Sequence, residues 1–194
     1  MNKLYAAFLI FLSYFLLVTF SPKNVDSASK QTATANKISE MSENTETAIL
    51  AGGCFWCMEH PYEDLPGVSK VISGYTGGGK KNPTYKEVAS GSTMHVEAVE
   101  IHFNPAKISY NDILEIFWRN IDPTDAGGQF VDRGKQYTTG IYYKNDQQKQ
   151  AAQESKKRIE DSKRFSKKIV TEIVQAGPFY RAEEYHQDFF KKNY

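Results

Sequence analysis

The chain has 194 residues, enough for one domain of ordinary size plus accessory segments. Its 24 basic and 23 acidic residues leave a formal charge of +1 with no charge run, which removes the electrostatic footprint that nucleic-acid binding needs. Twelve Tyr, twelve Phe and two Trp can fill a core and still line a ligand pocket.

In chain order, Lys3 precedes an uncharged apolar run from Leu4 to Phe20. A signal-peptide core is about 7–15 residues and a spanning helix about 20, so residues 1–20 read as a signal peptide or a membrane anchor. Ser27-Ala28-Ser29 offers small residues for cleavage. The chain is thus expected outside the cytoplasm: exported to periplasm or medium, or membrane-anchored and facing out. Residues 21–46 are rich in Ser, Thr, Asn, Lys and Ala and read as a flexible linker. The folded domain is expected over 47–194.

Within it, a buried strand is predicted over 47–51, then a helix from Cys54 that Pro61 should kink or restart. A strand over 68–75 runs into a glycine-rich loop, and Pro83 enters a short helix over 83–88. Residues 96–103 alternate as a strand, with Val99, Ile101 and Phe103 on one face and Glu97 on that same face. Ser109 caps the next helix with Asp112 three residues on, and Ile113, Ile116, Phe117 and Ile121 form its apolar stripe. A strand over 137–143, a polar helix over 147–165, a strand over 169–174 and a helix over 183–192 complete the chain. Interleaved strands and helices predict an α/β (α+β) sandwich with a strand-built centre.

The chemistry concentrates in Gly52-Gly53-Cys54-Phe55-Trp56-Cys57-Met58-Glu59, which holds both cysteines of the chain. A thiol at a helix start lies near unpaired backbone N–H groups and the positive dipole end, which favour the thiolate. Zinc needs about four ligands, and His60, His95, His102 and His186 show no H-x-x-x-H spacing, so no metal site is expected. A purely structural disulfide would close too small a loop to constrain much. A catalytic or redox-cycling pair remains. Thiol–disulfide oxidoreductases and electron carriers also place C-x-x-C at a strand-to-helix turn and stand as the alternative function, although the Gly-Gly-Cys-Phe context differs from theirs.

Glu97 shares its face with apolar residues. If that face is the core, desolvation raises its pKa and suits it to general-acid work; an edge-strand glutamate pointing into water is the other reading. Asp132 lies in a glycine-flanked loop and reads by pattern as a turn residue, while Tyr85 and Tyr137 read as ordinary core tyrosines.

Several blocks together change this reading. Gly53-Cys54-Phe55-Trp56, Gly74-Tyr75-Thr76-Gly77-Gly78, Asn82-Pro83-Thr84-Tyr85-Lys86-Glu87-Val88, His95-Val96-Glu97-Ala98-Val99, Phe117-Trp118, Asp122-Pro123-Thr124, Asp132-Arg133-Gly134, Gln136-Tyr137, Phe179-Tyr180, Ala182-Glu183 and Tyr185-His186-Gln187 follow one another in a single family's order. In these blocks the chain resembles A-type peptide methionine sulfoxide reductases across nearly all of 47–194.

The resemblance implies a two-layer domain similar to the ferredoxin-like split β-α-β arrangement. It implies that Cys54 is the nucleophile and that Phe55 and Trp56 wall the pocket for the substrate's S-methyl group. Glu97 would protonate the sulfoxide oxygen, Tyr85 and Tyr137 would hydrogen-bond it, and Asp132 would help organise the site. The implied substrate is methionine S-sulfoxide, free or in proteins. The implied reductant is thioredoxin or a similar external dithiol, with no cofactor and a monomeric enzyme. Many family members carry their resolving cysteine in a glycine-rich C-terminal tail, whereas this chain reads Lys191-Lys192-Asn193-Tyr194 at its end. Set against that pattern, Cys57 is expected to resolve a Cys54 sulfenic acid as a Cys54–Cys57 disulfide.

Overall fold

The computed structural model describes residues 45–193. The expected signal or anchor segment, and nearly all of the expected linker, lie outside the described residues.

The centre is a six-stranded sheet in the order β7-β6-β1-β3-β2-β8. Its strands are β1 (Glu46–Gly52), β2 (Val68–Thr76), β3 (Val96–Phe103), β6 (Thr139–Tyr143), β7 (Glu172–Gln175) and β8 (Tyr180–Arg181). The helices are α1 (Phe55–Glu63), α2 (Tyr85–Ala89), α3 (Tyr110–Arg119), α4 (Asp146–Asp161) and α5 (Phe189–Asn193). β1 and β2 flank β3, and β3 and β6 flank β1, all antiparallel to the strand between them. With α1 crossing from β1 to β2 and α3 following β3, this is the expected split β-α-β core. β7 adds a parallel edge beside β6.

Alternation along the strands builds two apolar faces. Leu50, Tyr75, Val99, Ile101, Phe103 and Ile141 pack with Phe55 and Met58 of α1 and with Ile113, Leu114 and Phe117 of α3. Ile49, Ala51, Val96, Ala98 and Tyr142 form a smaller cluster on the other face. Trp118 Nε1 donates to Ser155 Oγ at 3.1 Å, tying α3 to α4. The α3 cap is the predicted one: Ser109 Oγ accepts from Asp112 N at 3.1 Å and Asp112 Oδ2 accepts from Ser109 N at 2.9 Å.

Several expected boundaries move, each for a local backbone reason. Pro61 sits inside α1 without ending it; its missing N–H leaves the Cys57 carbonyl without an intrahelical donor. The polar helix stops at Asp161 rather than 165 because Lys163 is left-handed, at φ 53°. The expected helix over 183–192 is a 3-10 turn, Glu184–His186, and then α5, separated by left-handed Asp188 at φ 52°. Tyr137 is not on a strand but ends a 3-10 turn, Lys135–Tyr137, that opens after Gly134 at φ 122°. The hairpin of β4 (Gly128–Gln129) and β5 (Asp132–Arg133) had no counterpart among the predicted elements. Nor did β8, which pairs with β2 where Gly74 lets Phe179 and the Tyr180 carbonyl approach; a β-carbon there would lie 2.4 Å from each.

Candidate active site

The strand pairing gathers the predicted residues at one end of the sheet. Leu50 pairs with Val99, Gly52 with Thr139 and Tyr75 with Glu97. The exits of β1 and β2 therefore lie beside the entries of β3 and β6. Cys54 follows β1, Tyr85 follows β2, Glu97 opens β3, and Tyr137 precedes β6.

Gly53, at φ 93°, makes the turn between β1 and α1. A β-carbon there would sit 2.6 Å from Cβ of Gln129, so only glycine fits in both conformation and space. Cys54 is then the N-cap of α1 rather than its first residue, and its carbonyl accepts from Met58 N at 3.2 Å.

Glu97 is 1 % exposed, on the core face. Its Oε2 accepts the backbone N–H of Phe55 at 3.0 Å, satisfying the first orphan donor of α1. Burial pushes its carboxyl up to about 7; the Phe55 N–H works against this, and Asp132 and Cys57 add to it. Glu97 can therefore hold its proton much nearer neutral pH than an exposed carboxyl does.

Both cysteines are free thiols, Cys54 half-buried and Cys57 exposed. They hydrogen-bond to each other, and the pair shares its last proton. The hydrogen bond from Cys54 lowers Cys57 to about 7, against the opposing effects of burial and Asp132. The same hydrogen bond raises Cys54, and burial and the Glu97 charge raise it further. The expectation that the helix start favours a Cys54 thiolate is corrected in this respect. The N–H groups of Cys57 and Trp56 do act in that direction, but the three opposing effects outweigh them.

Tyr85 and Tyr137 act on one another, and both feel Glu97 and Cys54. Burial, the largest cause, raises both phenols, so each stays a protonated donor. Asp132, on β5, acts on Glu97, Cys57 and Tyr137 across the site. Phe55 is buried beneath, and Trp56 is half-buried with its ring stacked on Phe189 at 3.8 Å. All eight predicted residues thus meet in one place.

The C-terminal segment adds residues that received no role from the sequence. Glu183 accepts from the Tyr85 N–H and from the Tyr75 hydroxyl, both at 2.8 Å. Burial opposes its charge, but these donors hold its pKa below the usual carboxylate value. His186 is buried with its ring 4.4 Å from Tyr85, 4.9 Å from Phe55 and 5.4 Å from Trp56. Its ring nitrogens and Trp56 Nε1 are buried without hydrogen-bond partners, and burial lowers the imidazole pKa, keeping it neutral. The Ala182-Glu183 and Tyr185-His186-Gln187 blocks were the available signal, but Tyr85 and Tyr75, the partners of Glu183, lie 98 and 108 residues from it.

The fold and this cluster define a thiol-dependent oxidoreductase site with a buried acid beside a cysteine pair. The family model for peptide methionine sulfoxide reductase matches residues 46–194. The chain is 59 % identical over 153 residues to peptide methionine sulfoxide reductase MsrA of Bacillus velezensis, covering 79 % of this chain and 86 % of that protein. It is 57 % identical over the same length to MsrA of Bacillus subtilis, again covering 79 % and 86 %. Among solved structures, reduced Mxr1 from Saccharomyces cerevisiae superposes with a TM-score of 0.73 at 30 % identity, covering 78 % of this chain and 87 % of that one. Methionine sulfoxide reductase A of Corynebacterium diphtheriae gives 0.70 at 33 %, covering 77 % and 76 %. The chain belongs to the A-type peptide methionine sulfoxide reductases.

Proposed function

We propose that the chain reduces methionine S-sulfoxide, free or within proteins, to methionine, repairs oxidised proteins in this way, and is recycled by thioredoxin or a similar dithiol. One observation carries the catalytic reading: a buried carboxyl with a pKa of about 7 is bonded to the backbone of the residue that follows Cys54. A sulfoxide oxygen leaves only when protonated, so the acid and the attacking sulfur must sit together.

Cys54 sulfur attacks the sulfoxide sulfur as its proton passes to the Cys57 thiolate. Glu97 gives its proton to the departing oxygen, while Tyr85 and Tyr137 donate hydrogen bonds to that oxygen. The protonated oxygen passes from the substrate sulfur to Cys54 sulfur. The substrate S–O bond and the S–S bond made in the attack break, and a Cys54 S–O bond forms. The electron pair left on the substrate sulfur makes it methionine, and Cys54 is now a sulfenic acid. Cys57 thiol then attacks that sulfur; water departs and a Cys54–Cys57 disulfide forms. An external dithiol reduces it by exchange and is itself oxidised. Trp56 and Phe55 supply the apolar wall for the methyl group, and Asp132 holds the electrostatics of Glu97 and Cys57.

Residues 4–20 act as a signal peptide or anchor, so repair takes place outside the cytoplasm. Their uncharged apolar run after Lys3 supports this, and N-terminal sequencing of the mature protein tests it.

Glu97→Gln is the decisive variant. Dithiothreitol-driven reduction of a methionine-S-sulfoxide peptide should fall about 10²–10⁴-fold, the usual range for loss of a general acid. Reduction of a protein disulfide needs no such acid. If sulfoxide turnover survives the substitution intact, the acid role is wrong and the thiol–disulfide reading takes its place.

A further inference from the structure

Among the described residues, the exposed large apolar side chains are Met94, Phe130, Val131 and Tyr185. Two of them are adjacent, at 71 % and 88 % exposure: Phe130 and Val131 form the two-residue loop of the β4–β5 hairpin, closed by the Gln129–Asp132 pair. Neither packing nor turn chemistry accounts for them. Phe130 sits at φ 51°, where a two-residue hairpin loop normally takes glycine. A phenylalanine held there is strained, and its ring is left in water. The turn is nonetheless braced. Arg133 is clamped by Asp125 at 2.7 and 3.0 Å, and donates to the Phe130 carbonyl at 3.4 Å.

The base of this hairpin belongs to the site. Gln129 packs against Gly53, and Asp132 acts on both Glu97 and the exposed Cys57. Two solvated apolar side chains, one on a strained backbone, therefore project beside the residues of the proposed site. Exposed apolar surface of this kind marks an interaction site. Methionine is a core-filling residue, and its sulfoxide is polar, so oxidation loosens the core that held it and exposes the apolar residues around it.

We infer that the Phe130–Val131 tip is a docking ridge for the polypeptide that carries the oxidised methionine, with apolar residues flanking the sulfoxide as its chemical signature. This rests on the sulfoxide-reductase reading of the adjoining site.

The test is the double variant Phe130→Gly/Val131→Ser in the full-length chain, which gives the turn the residue its backbone calls for. Two substrates are compared with dithiothreitol as reductant: methionine-oxidised casein, an unfolded protein, and N-acetyl-methionine sulfoxide. The expected result is at least a fivefold loss of kcat/KM on casein, less than twofold on the small substrate, and a Tm no lower than wild type. Equal rates on casein would overturn the inference. So would an equal loss on both substrates, which would make the turn a mere support for Asp132. A raised KM for thioredoxin with dithiothreitol-driven casein turnover unchanged would assign the ridge to the reductant instead, and also overturns it. A wild-type enzyme that reduces neither substrate would sink the underlying reading rather than the ridge alone.

Discussion

Glu97 and the cysteine pair titrate in the same range, and the proposed mechanism uses them in opposite states. Attack needs a thiolate in the pair, whose readily lost proton leaves Cys57 near 7. Oxygen protonation needs Glu97 to keep its proton, which it loses near 7. The pH profile of kcat/KM should be a narrow bell centred close to neutrality, and Glu97→Gln should lose its alkaline limb along with most of its rate. Stability gives an independent readout. The folded pKa of Glu97 is raised above its unfolded value of about 4.3, so the folded state binds the proton more tightly and loses stability as pH rises from there through 7. Glu97→Gln removes that cost. At pH 8 it should be more stable than wild type by on the order of 2–3 kcal/mol, and near pH 4 by much less, as urea unfolding at the two pH values would record. Cys57→Ser tests the other half of the pair. Rapid quench should show one methionine formed per enzyme and then arrest with thioredoxin as reductant. The acid limb of that single turnover should move up from about 7 toward the ordinary thiol range, because Cys54 must then ionise by itself.

At the scale of elements, the site depends on a turn and on a returning segment. The β1–α1 turn needs Gly53 for conformation and for space. Gly53→Ala should cost about 2 kcal/mol or more and displace Cys54, seen as a lower Tm together with a lower kcat. Gly79→Ala, where a β-carbon meets nothing within 4 Å, is the matched control and should leave both unchanged. The returning segment works through Glu183, which grips the backbone of Tyr85 while His186 packs on its ring. Glu183→Ala frees Tyr85 and leaves the buried Tyr75 hydroxyl without its acceptor. A loss of roughly tenfold in kcat, with a smaller change in KM, is expected from misplacing a donor that acts mainly in the transition state. Glu59 anchors the next stretch, accepting from Asp188 N at 3.1 Å and Phe189 N at 3.4 Å, and Phe189 in turn covers Trp56. Trp56, the proposed wall for the methyl group, is thus held from α1 and from the C-terminal segment at once.

Among the described residues, the core, the sheet and the residues of the proposed site lie within 46–193, inside the span that the family model matches. A chain beginning at residue 45 should therefore match the full chain in Tm and in dithiothreitol-driven kcat, while losing any membrane or export behaviour; a cell-fractionation comparison reads the second half. The burial of titratable groups also shapes stability across pH. Buried His186 resists protonation, so stability falls as pH drops below the unfolded histidine value of about 6.5. Glu59, Glu63 and Glu97 resist ionisation, so stability falls as pH climbs past the unfolded carboxyl range. The folded state is squeezed from both sides.

By itself the sequence determined the strand-centred α/β sandwich and the capped helix at Ser109, because each is written in local spacing. The split β-α-β core and the proposed roles of Tyr85, Tyr137 and Asp132 were legible only through the ordered blocks shared with one family. Alternation set Glu97 on the face of Val99 and Ile101, and two glycines announced the turn before Cys54. It did not determine where helices stop at left-handed Lys163 and Asp188, since neither residue type demands that conformation. Nor did it reveal the β4–β5 hairpin, whose turn residues Phe130 and Val131 are the reverse of turn formers. The proton balance between Cys54 and Cys57, the pKa of Glu97 and the clasp of Glu183 and His186 on Tyr85 belong to tertiary structure alone. They arise from burial and from contacts between residues far apart in the chain, and no local pattern encodes such distances.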